Sequence, residues 1–350
     1  MQNCRYYQGK QEARKRELRQ NEHNLQNRNT GLHESIRCIL LILSKPGRFN
    51  LCFLCYLLFS ISRSSCGILF AVRVPFLATD FVFMTQFDLR REDCLQGMSR
   101  LPDEHVDLVA TSPPYNLGVR YGKFSDRQNR QSYLRWCREW AAQVRRVLES
   151  NGSFFLNIGS APSNPMLPHE IVIELTSASG GFVLQNTIHW IKSITIEDRA
   201  GDVRSFGHFK PISSKRFLND GHEYIFHFTK TGRVEIDRLA LGVPYQDKSN
   251  ISRWSHTRGS DLRCRGNTWF IPYETIQSRA KERPHPATFP VQLAEWCIKL
   301  HGVSRVQTML DPFLGIGNSA IAAQRCGVKK FIGFEIDQTY LAEAKRRLSL

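Results

Sequence analysis

The sequence predicts an α/β protein with a mostly parallel sheet, a permuted chain order and one inserted region. Three observations lead there. From Phe87 onward, short apolar runs alternate with amphipathic helical stretches, the pattern of strands joined by crossover helices. One run, Val106 to Ala110, feeds a stiff loop, Thr111-Ser112-Pro113-Pro114-Tyr115-Asn116. Another, Val306 to Leu310, feeds a glycine-rich turn close to the end of the chain.

Composition sets the frame. The chain has 350 residues, 41% of them apolar, enough for a sizeable core in one large domain or two small ones. Its net charge of +16 favours a polyanionic partner such as nucleic acid. Ten cysteines fall into no compact disulfide framework, and Cys52-x-x-Cys55 has no second pair at zinc spacing. Free thiols, a reducing cytoplasmic compartment and no metal are expected.

Residues 1 to about 30 are polar and basic without an apolar stripe, the composition of a disordered segment or a loose helix. Ile36 to Phe83 holds apolar runs, each shorter than the roughly 18–20 residues of a spanning helix. Lys45-Pro46-Gly47-Arg48, Arg63 and Arg73-Val74-Pro75 break them, and no signal peptide is expected. Weak membrane association is the most this segment suggests. Five of the ten cysteines lie in residues 1–83, and regular patterning starts only at Met84. Residues 1–83 therefore read as an extension outside the working domain, with Met84 as the natural start and 84–350 as the domain.

The elements follow in order. Phe87 to Arg90 reads as a strand and Leu95 to Leu101 as a short helix. Val106 to Ala110 is a buried strand. Gln131 to Ser150 is an amphipathic helix with Tyr133, Leu134, Trp136, Trp140, Val144, Val147 and Leu148 near one face, stopped by Asn151-Gly152. Phe154 to Ile158 is a strand, Glu170 to Ala178 a helix, and Thr187 to Lys192 and Glu223 to Phe228 are strands. From Thr229 to Arg283 the pattern loosens into Arg, Ser and Gly with Trp254, Trp269 and Tyr273 interleaved. Basic residues beside aromatics suit phosphate contact and base stacking, worth about 1–3 kcal/mol per base. A solvated insertion between sheet elements accounts for them equally well.

Two prolines end the strand at Thr111. They fix φ near −65° and donate nothing to a ladder, so the chain leaves the sheet on a stiff path at a carboxyl end, where open α/β sheets bind ligands. The loop offers a hydroxyl (Ser112), a backbone carbonyl (Pro113) and an aromatic ring (Tyr115). That set suits an exocyclic nucleobase amine, whose lone pair is delocalised into its ring. Two acceptors aimed at its hydrogens favour a more tetrahedral nitrogen, and an aromatic ring stacks on the base. A plain strand-terminating Pro-Pro turn is the alternative from these six residues alone.

The C-terminal stretch forms a Rossmann-like βαβ half: strand, Asp311-Pro312-Phe313-Leu314-Gly315-Ile316-Gly317, helix Ala320 to Arg325, strand Lys330 to Phe334, then Glu335-Ile336-Asp337. The glycines let backbone approach a ligand, and the acid suits a ribose diol. Only 13 residues follow Asp337, so the remaining strands come from earlier in the chain. A nicotinamide dinucleotide fits the Gly-x-Gly spacing. S-adenosylmethionine fits better, because Asp311 is available for its methionine amine.

Together these segments resemble the beta class of amino-methylating DNA methyltransferases. Thr111-Ser112-Pro113-Pro114-Tyr115 is similar to the catalytic loop in its serine form, and Asp311-Pro312-Phe313-x-Gly315-x-Gly317 to the S-adenosylmethionine loop. Pro284-His285-Pro286-Ala287-Thr288-Phe289-Pro290 resembles the segment just before that loop, and Phe331-Ile332-Gly333-Phe334-Glu335 the ribose strand. Glu92-Asp93-Cys94 resembles the segment near the adenine, and His222 to Phe228 a structural strand. The likeness runs from about Phe87 to the end. It implies a circularly permuted S-adenosylmethionine methyltransferase fold acting on double-stranded DNA, with 230–283 as the target-recognition insertion and a cognate restriction endonuclease as partner. It further implies Ser112, Pro113, Pro114 and Tyr115 as catalytic residues. The cofactor would lie on Asp93, Asp311, Phe313, Gly315, Gly317, Glu335, His285, Pro286 and Phe289. Asn318-Ser319 departs from the threonines common in the family. The leading serine resembles the cytosine-N4 subgroup, with adenine-N6 as the alternative. Cytosine-C5 chemistry lacks its Pro-Cys pair and a zinc deaminase its Pro-Cys-x-x-Cys. A nicotinamide oxidoreductase and a non-catalytic nucleic-acid-binding module are the rivals from other classes.

Overall fold

The computed structural model of the chain describes residues 85–350, except 120, 122–123, 162–163, 178–180, 199, 208–212 and 273–286. The expectations for residues 1–83 and for His285 and Pro286 lie outside that set. In chain order the main elements are β1 (Gln86–Arg90), α1 (Cys94–Ser99), β2 (Val106–Thr111), α2 (Arg130–Val147), β3 (Leu148–Ile158) and α3 (Leu167–Ser177). They continue with β4 (Val183–Ile191), β5 (Ser193–Glu197), β6 (Val203–Gly207), β7 (His222–Thr229), α4 (Ser249–Arg253) and β8 (Thr268–Phe270). The C-terminal elements are α5 (Val291–His301), β9 (Thr308–Asp311), α6 (Asn318–Arg325), β10 (Lys330–Phe334) and α7 (Gln338–Leu348).

Eight strands form one sheet in the order β1-β10-β9-β2-β3-β7-β4-β8, while β5 and β6 pair separately. All neighbours in the large sheet are parallel except those of β7, which runs antiparallel to β3 and β4. The chain's last two strands thus lie between its first two. Apolar side chains cover both faces, as a parallel sheet requires. Leu108, Ala110, Phe155, Trp190, Ile225 and Met309 pack with α5, α6 and α7 on one face. Val109, Phe154, Leu156, Phe228, Leu310 and Phe334 pack with α1, α2 and α3 on the other.

Helix α2 shows why the local pattern works and where it stops. The Asn129 side chain accepts from the Gln131 N–H (3.0 Å) and caps the start. Tyr133, Cys137, Trp140, Ala141, Val144 and Val147 recur at helical spacing and are buried; burying a valine of this kind contributes roughly 1.5–3 kcal/mol. The expected end at Ser150 is corrected to Val147. Leu148 is fully buried and pairs with Val106, so β3 begins there and runs through Asn151-Gly152. The N–H groups of Glu104 and His105 take up the carbonyls of Arg146 and Val147, and sheet pairing overrides the local Asn-Gly stop signal. The expected solvated insertion is also partly corrected: β8 joins the sheet edge, and Trp269 is a core residue against Trp296 (5.4 Å).

The sheet core also holds a polar cluster that no motif announces. Ser153 Oγ lies 2.9 Å from both His227 Nε2 and His301 Nδ1, and all three residues are buried. Asn186 Nδ2 contacts His227 Nδ1 at 3.0 Å, which makes Nδ1 the acceptor and places the His227 proton on Nε2. That proton goes to Ser153, whose own hydroxyl then donates to His301. The bonds received at His227 Nδ1 and His301 Nδ1 exist only while both rings are neutral. Burial accordingly lowers His227 to about 3 and His301 to about 4. An unfolded chain binds protons on both rings below their ordinary value of 6.5, so the folded state loses stability as pH falls from there. With two such groups the slope approaches about 2.7 kcal/mol per pH unit. Urea denaturation between pH 6.5 and 5 is expected to show it, and His301→Asn, which keeps an acceptor, to halve it.

Candidate active site

The two signature loops leave neighbouring parallel strands on the same edge of the sheet. A cavity of about 160 Å³ opens between them. Ser112, Pro113, Pro114 and Tyr115 line one end, and Asp93, Phe313, Gly315, Glu335 and Phe289 line the other. Nine of the expected residues therefore share one wall. Asp311 and Gly317 do not. Asp311 is fully buried, its Oδ1 taken by the Thr111 hydroxyl (2.5 Å) and the Phe313 N–H (3.0 Å), its Oδ2 by the Ser319 hydroxyl (2.5 Å). Burial raises its carboxyl above the ordinary range despite these donors. Gly317, at φ +81°, faces α7: a Cβ there would stand 3.0 Å from the Ala344 Cβ.

At the glycine-loop end, Glu335 Oε2 accepts from the Gly315 N–H (2.9 Å) and Oε1 from the Asp337 N–H (2.8 Å). Burial raises the Glu335 carboxyl, and these two N–H groups oppose the rise. Each oxygen keeps lone pairs for a further donor such as a diol. Phe313 closes the wall edge-on to Trp136 (5.5 Å) and Trp140 (5.4 Å) of α2. Asp93 caps α1 by accepting from the Leu95 N–H (2.8 Å). Asn318 donates to the Phe289 carbonyl (2.5 Å) and accepts from Arg347 (2.6 Å), tying the preceding segment to the glycine loop.

At the Pro-Pro end the Tyr115 hydroxyl sits in a network. Ser112 Oγ is 2.6 Å from it, Asn157 Nδ2 donates to it (2.7 Å), and it lies 3.1 Å from Glu223 Oε2. Asn157 Nδ2 also reaches Glu223 Oε2 (2.8 Å), and Lys192 Nζ pairs with Glu223 Oε1 (3.1 Å). Burial and the Glu223 charge push the Tyr115 phenol far up, so it remains protonated. Asn157 Oδ1 is buried with no hydrogen-bond partner among the described residues. Gly159 makes room: a Cβ there would stand 3.0 Å from the Tyr115 ring.

Sequence reasoning missed Asn157, Glu223, Lys192 and Asp126. The first three gather because alternation carries one sheet face to the rim. Ala110, Phe155, Ile225 and Trp190 share the apolar face, and two positions further toward the edge stand Ser112, Asn157, Glu223 and Lys192. A polar residue breaking an apolar strand end was the available signal. Asp126 is buried beyond the loop and accepts from the N–H groups of Asn116 (2.7 Å), Leu117 (3.0 Å) and Val119 (2.9 Å). It fixes Asn116 in the left-handed region at φ +58°. Desolvation raises its carboxyl while these N–H groups pull it back. Among the described residues no three or more His, Cys, Asp or Glu side chains form a metal site, and no helix is long and apolar enough to cross a membrane. The described cysteines are free thiols. In the insertion Trp254 is 44% exposed and stacks on His256 (5.6 Å), whereas Tyr273 lies outside the described residues.

The profile of the DNA methylase family of N6/N4 type matches residues 106–346. The chain belongs to that family of DNA methyltransferases, whose methyl donor is S-adenosyl-L-methionine. It is similar to the type II methyltransferase M.ScaI of Streptomyces caespitosus, 28% identical over 73% of this chain and 79% of that one. The type II methyltransferase M.BglII of Bacillus subtilis is also 28% identical, over 73% of this chain and 67% of its own. The fold matches that of the PvuII DNA methyltransferase (cytosine-N4-specific), with a TM-score of 0.54 and 20% identity over 76% of this chain and 88% of the other.

Asp126→Ala leaves three loop N–H groups without their acceptor. A stability loss of roughly 2–4 kcal/mol in urea denaturation is expected, together with slower methyl transfer at saturating donor and DNA.

Proposed function

We propose that the protein methylates the exocyclic N4 of a cytosine flipped out of double-stranded DNA, as the modification partner of a restriction endonuclease in the cytoplasm. The observation that carries this reading is that Ser112 lines the same cavity as the Glu335–Gly315 end. The donor set fits S-adenosylmethionine: a carboxylate with spare lone pairs for the ribose, a glycine at φ +55° whose N–H that carboxylate holds, and an aromatic wall. Glu335 holds the ribose, Asp93 the adenine end, and Phe313 and Gly315 the methionine end. Asp311 acts by bracing both loops, and Gly317 by seating α6 on α7. Phe289 closes the pocket, and the sequence resemblance assigns His285 and Pro286 to the donor as well. When bound, the donor supplies an electrophilic methyl group.

The chain's residues then do the rest. The base is extruded at a cost of a few kcal/mol. Tyr115 stacks on it with its hydroxyl tethered. Ser112 and the Pro113 carbonyl accept from the amine. Catalysis is positioning and electrostatics, without a covalent enzyme intermediate. The insertion of 230–283, with Trp254 on its surface, reads the target sequence. The order of the two loops supports a circularly permuted methyltransferase of the serine-loop subgroup, with 84–350 as its domain.

The test is to incubate the full chain with labelled S-adenosylmethionine and unmethylated DNA, digest to nucleosides and identify the product by mass spectrometry. N4-methylcytosine is expected; N6-methyladenine would overturn the reading of Ser112 alone. Ser112→Ala is expected to slow turnover by roughly 100-fold with donor binding retained, and Glu335→Ala to lose donor binding in a titration. A chain starting at Met84 is expected to keep full activity.

A further inference from the structure

Methylating an amine releases a proton, and the network around Tyr115 has a direction. Asn157 Nδ2 is a donor, so toward it the Tyr115 oxygen accepts (2.7 Å). A carboxylate only accepts, so in the 3.1 Å contact with Glu223 Oε2 the Tyr115 O–H donates. A hydroxyl has one proton. Having given it to Glu223, Tyr115 accepts in the 2.6 Å contact with Ser112, which makes the Ser112 O–H the donor there. Ser112 then presents lone pairs to the cavity. The bonds point one way, from the cavity through two hydroxyls to a carboxylate whose far oxygen is paired with Lys192 (3.1 Å).

We propose that Ser112, Tyr115 and Glu223 form a relay that carries the amine proton away from the reacting nitrogen, with Glu223 as its terminal acceptor. The proposal rests on the exocyclic-amine reading above. The co-reactant is a methylsulfonium donor. The nitrogen–carbon bond forms as the carbon–sulfur bond breaks with its electron pair going to sulfur, and the nitrogen sheds one proton. That proton goes to Ser112 Oγ as the Ser112 proton moves to the Tyr115 oxygen and the Tyr115 proton to Glu223 Oε2. One methyl group and one proton have moved, and the carboxylic acid later returns its proton to solvent. Burial disfavours a Tyr115 phenolate, so the phenol gives up a proton only as it receives one. Gly159 lets the ring and the glutamate approach: a Cβ there would stand 3.0 Å from the one and 3.1 Å from the other.

A merely structural Glu223 would brace Lys192 and the loop, and the two roles separate experimentally. Full-length wild type, Tyr115→Phe, Glu223→Gln and Glu223→Asp are compared in three assays. These are donor titration, extrusion of a fluorescent base analogue at the target position without donor, and single-turnover methyl transfer. Tyr115→Phe keeps the stacking ring and removes only the relay hydroxyl. It and Glu223→Gln are expected to bind donor and extrude the base as wild type does, while the rate falls by roughly 100-fold. Glu223→Asp, which keeps a carboxylate acceptor, should restore part of the rate. A wild-type rate in Glu223→Gln or in Tyr115→Phe overturns the relay. So does loss of donor binding or base extrusion in both variants, which would make the network a brace. Failure of the amine reading itself would show earlier, as wild-type product carrying no methyl on an exocyclic nitrogen.

Discussion

A buried carboxylate joins the two halves of the site. Asp311 ends β9 and holds, on one side, the hydroxyl of Thr111 at the end of β2 and, on the other, the N–H of Phe313 and the hydroxyl of Ser319. Two hundred residues of chain separate Thr111 from Asp311. The Pro-Pro loop and the glycine loop therefore leave the sheet in fixed register, although the β2–β9 ladder itself is short. Removing the carboxylate would strand three buried donors at about 1–3 kcal/mol each. The same change would let the two loops drift apart, and an offset of about 1 Å between reacting groups costs on the order of 100-fold in rate.

Helix α2 stiffens both loops from the outside. Its Tyr133 hydroxyl donates to the Pro114 carbonyl (2.7 Å), holding the Pro-Pro loop from behind. One and two turns on, Trp136 and Trp140 back the ring of Phe313 in the glycine loop. One amphipathic face thus serves core packing and the alignment of two functional segments, so a packing change in α2 would be felt at the site.

The polar rim depends on the reversal of a single strand. Because β7 runs antiparallel to β3 and β4, its first residues, not its last, reach the edge where Ser112 stands. Glu223 thereby meets Asn157 and Lys192 at an edge otherwise made of carboxyl ends. Low solvent access strengthens the ion pair and hydrogen bonds gathered there.

The two loops, the strands that feed them, the βαβ half and the acid that follows it were legible in the residues, because each is a local signal: prolines that cannot continue a ladder, glycines that admit positive φ, an apolar run of strand length. Long-range packing makes Asp311 a brace between the loops and keeps it out of the cavity wall, since its partners Thr111 and Ser319 come from two different elements. It also decides that β3 starts at Leu148, where pairing with Val106 outweighs a local stop. Trp269 belongs to the core for the same reason, as β8 is recruited to the sheet edge by β4. The network of Asn157, Glu223 and Lys192 and the neutral cluster of Ser153, His227 and His301 were illegible for a further physical cause. Their meaning lies in hydrogen bonds between residues from different elements, and strand order, direction and register fix those distances while local periodicity is indifferent to them.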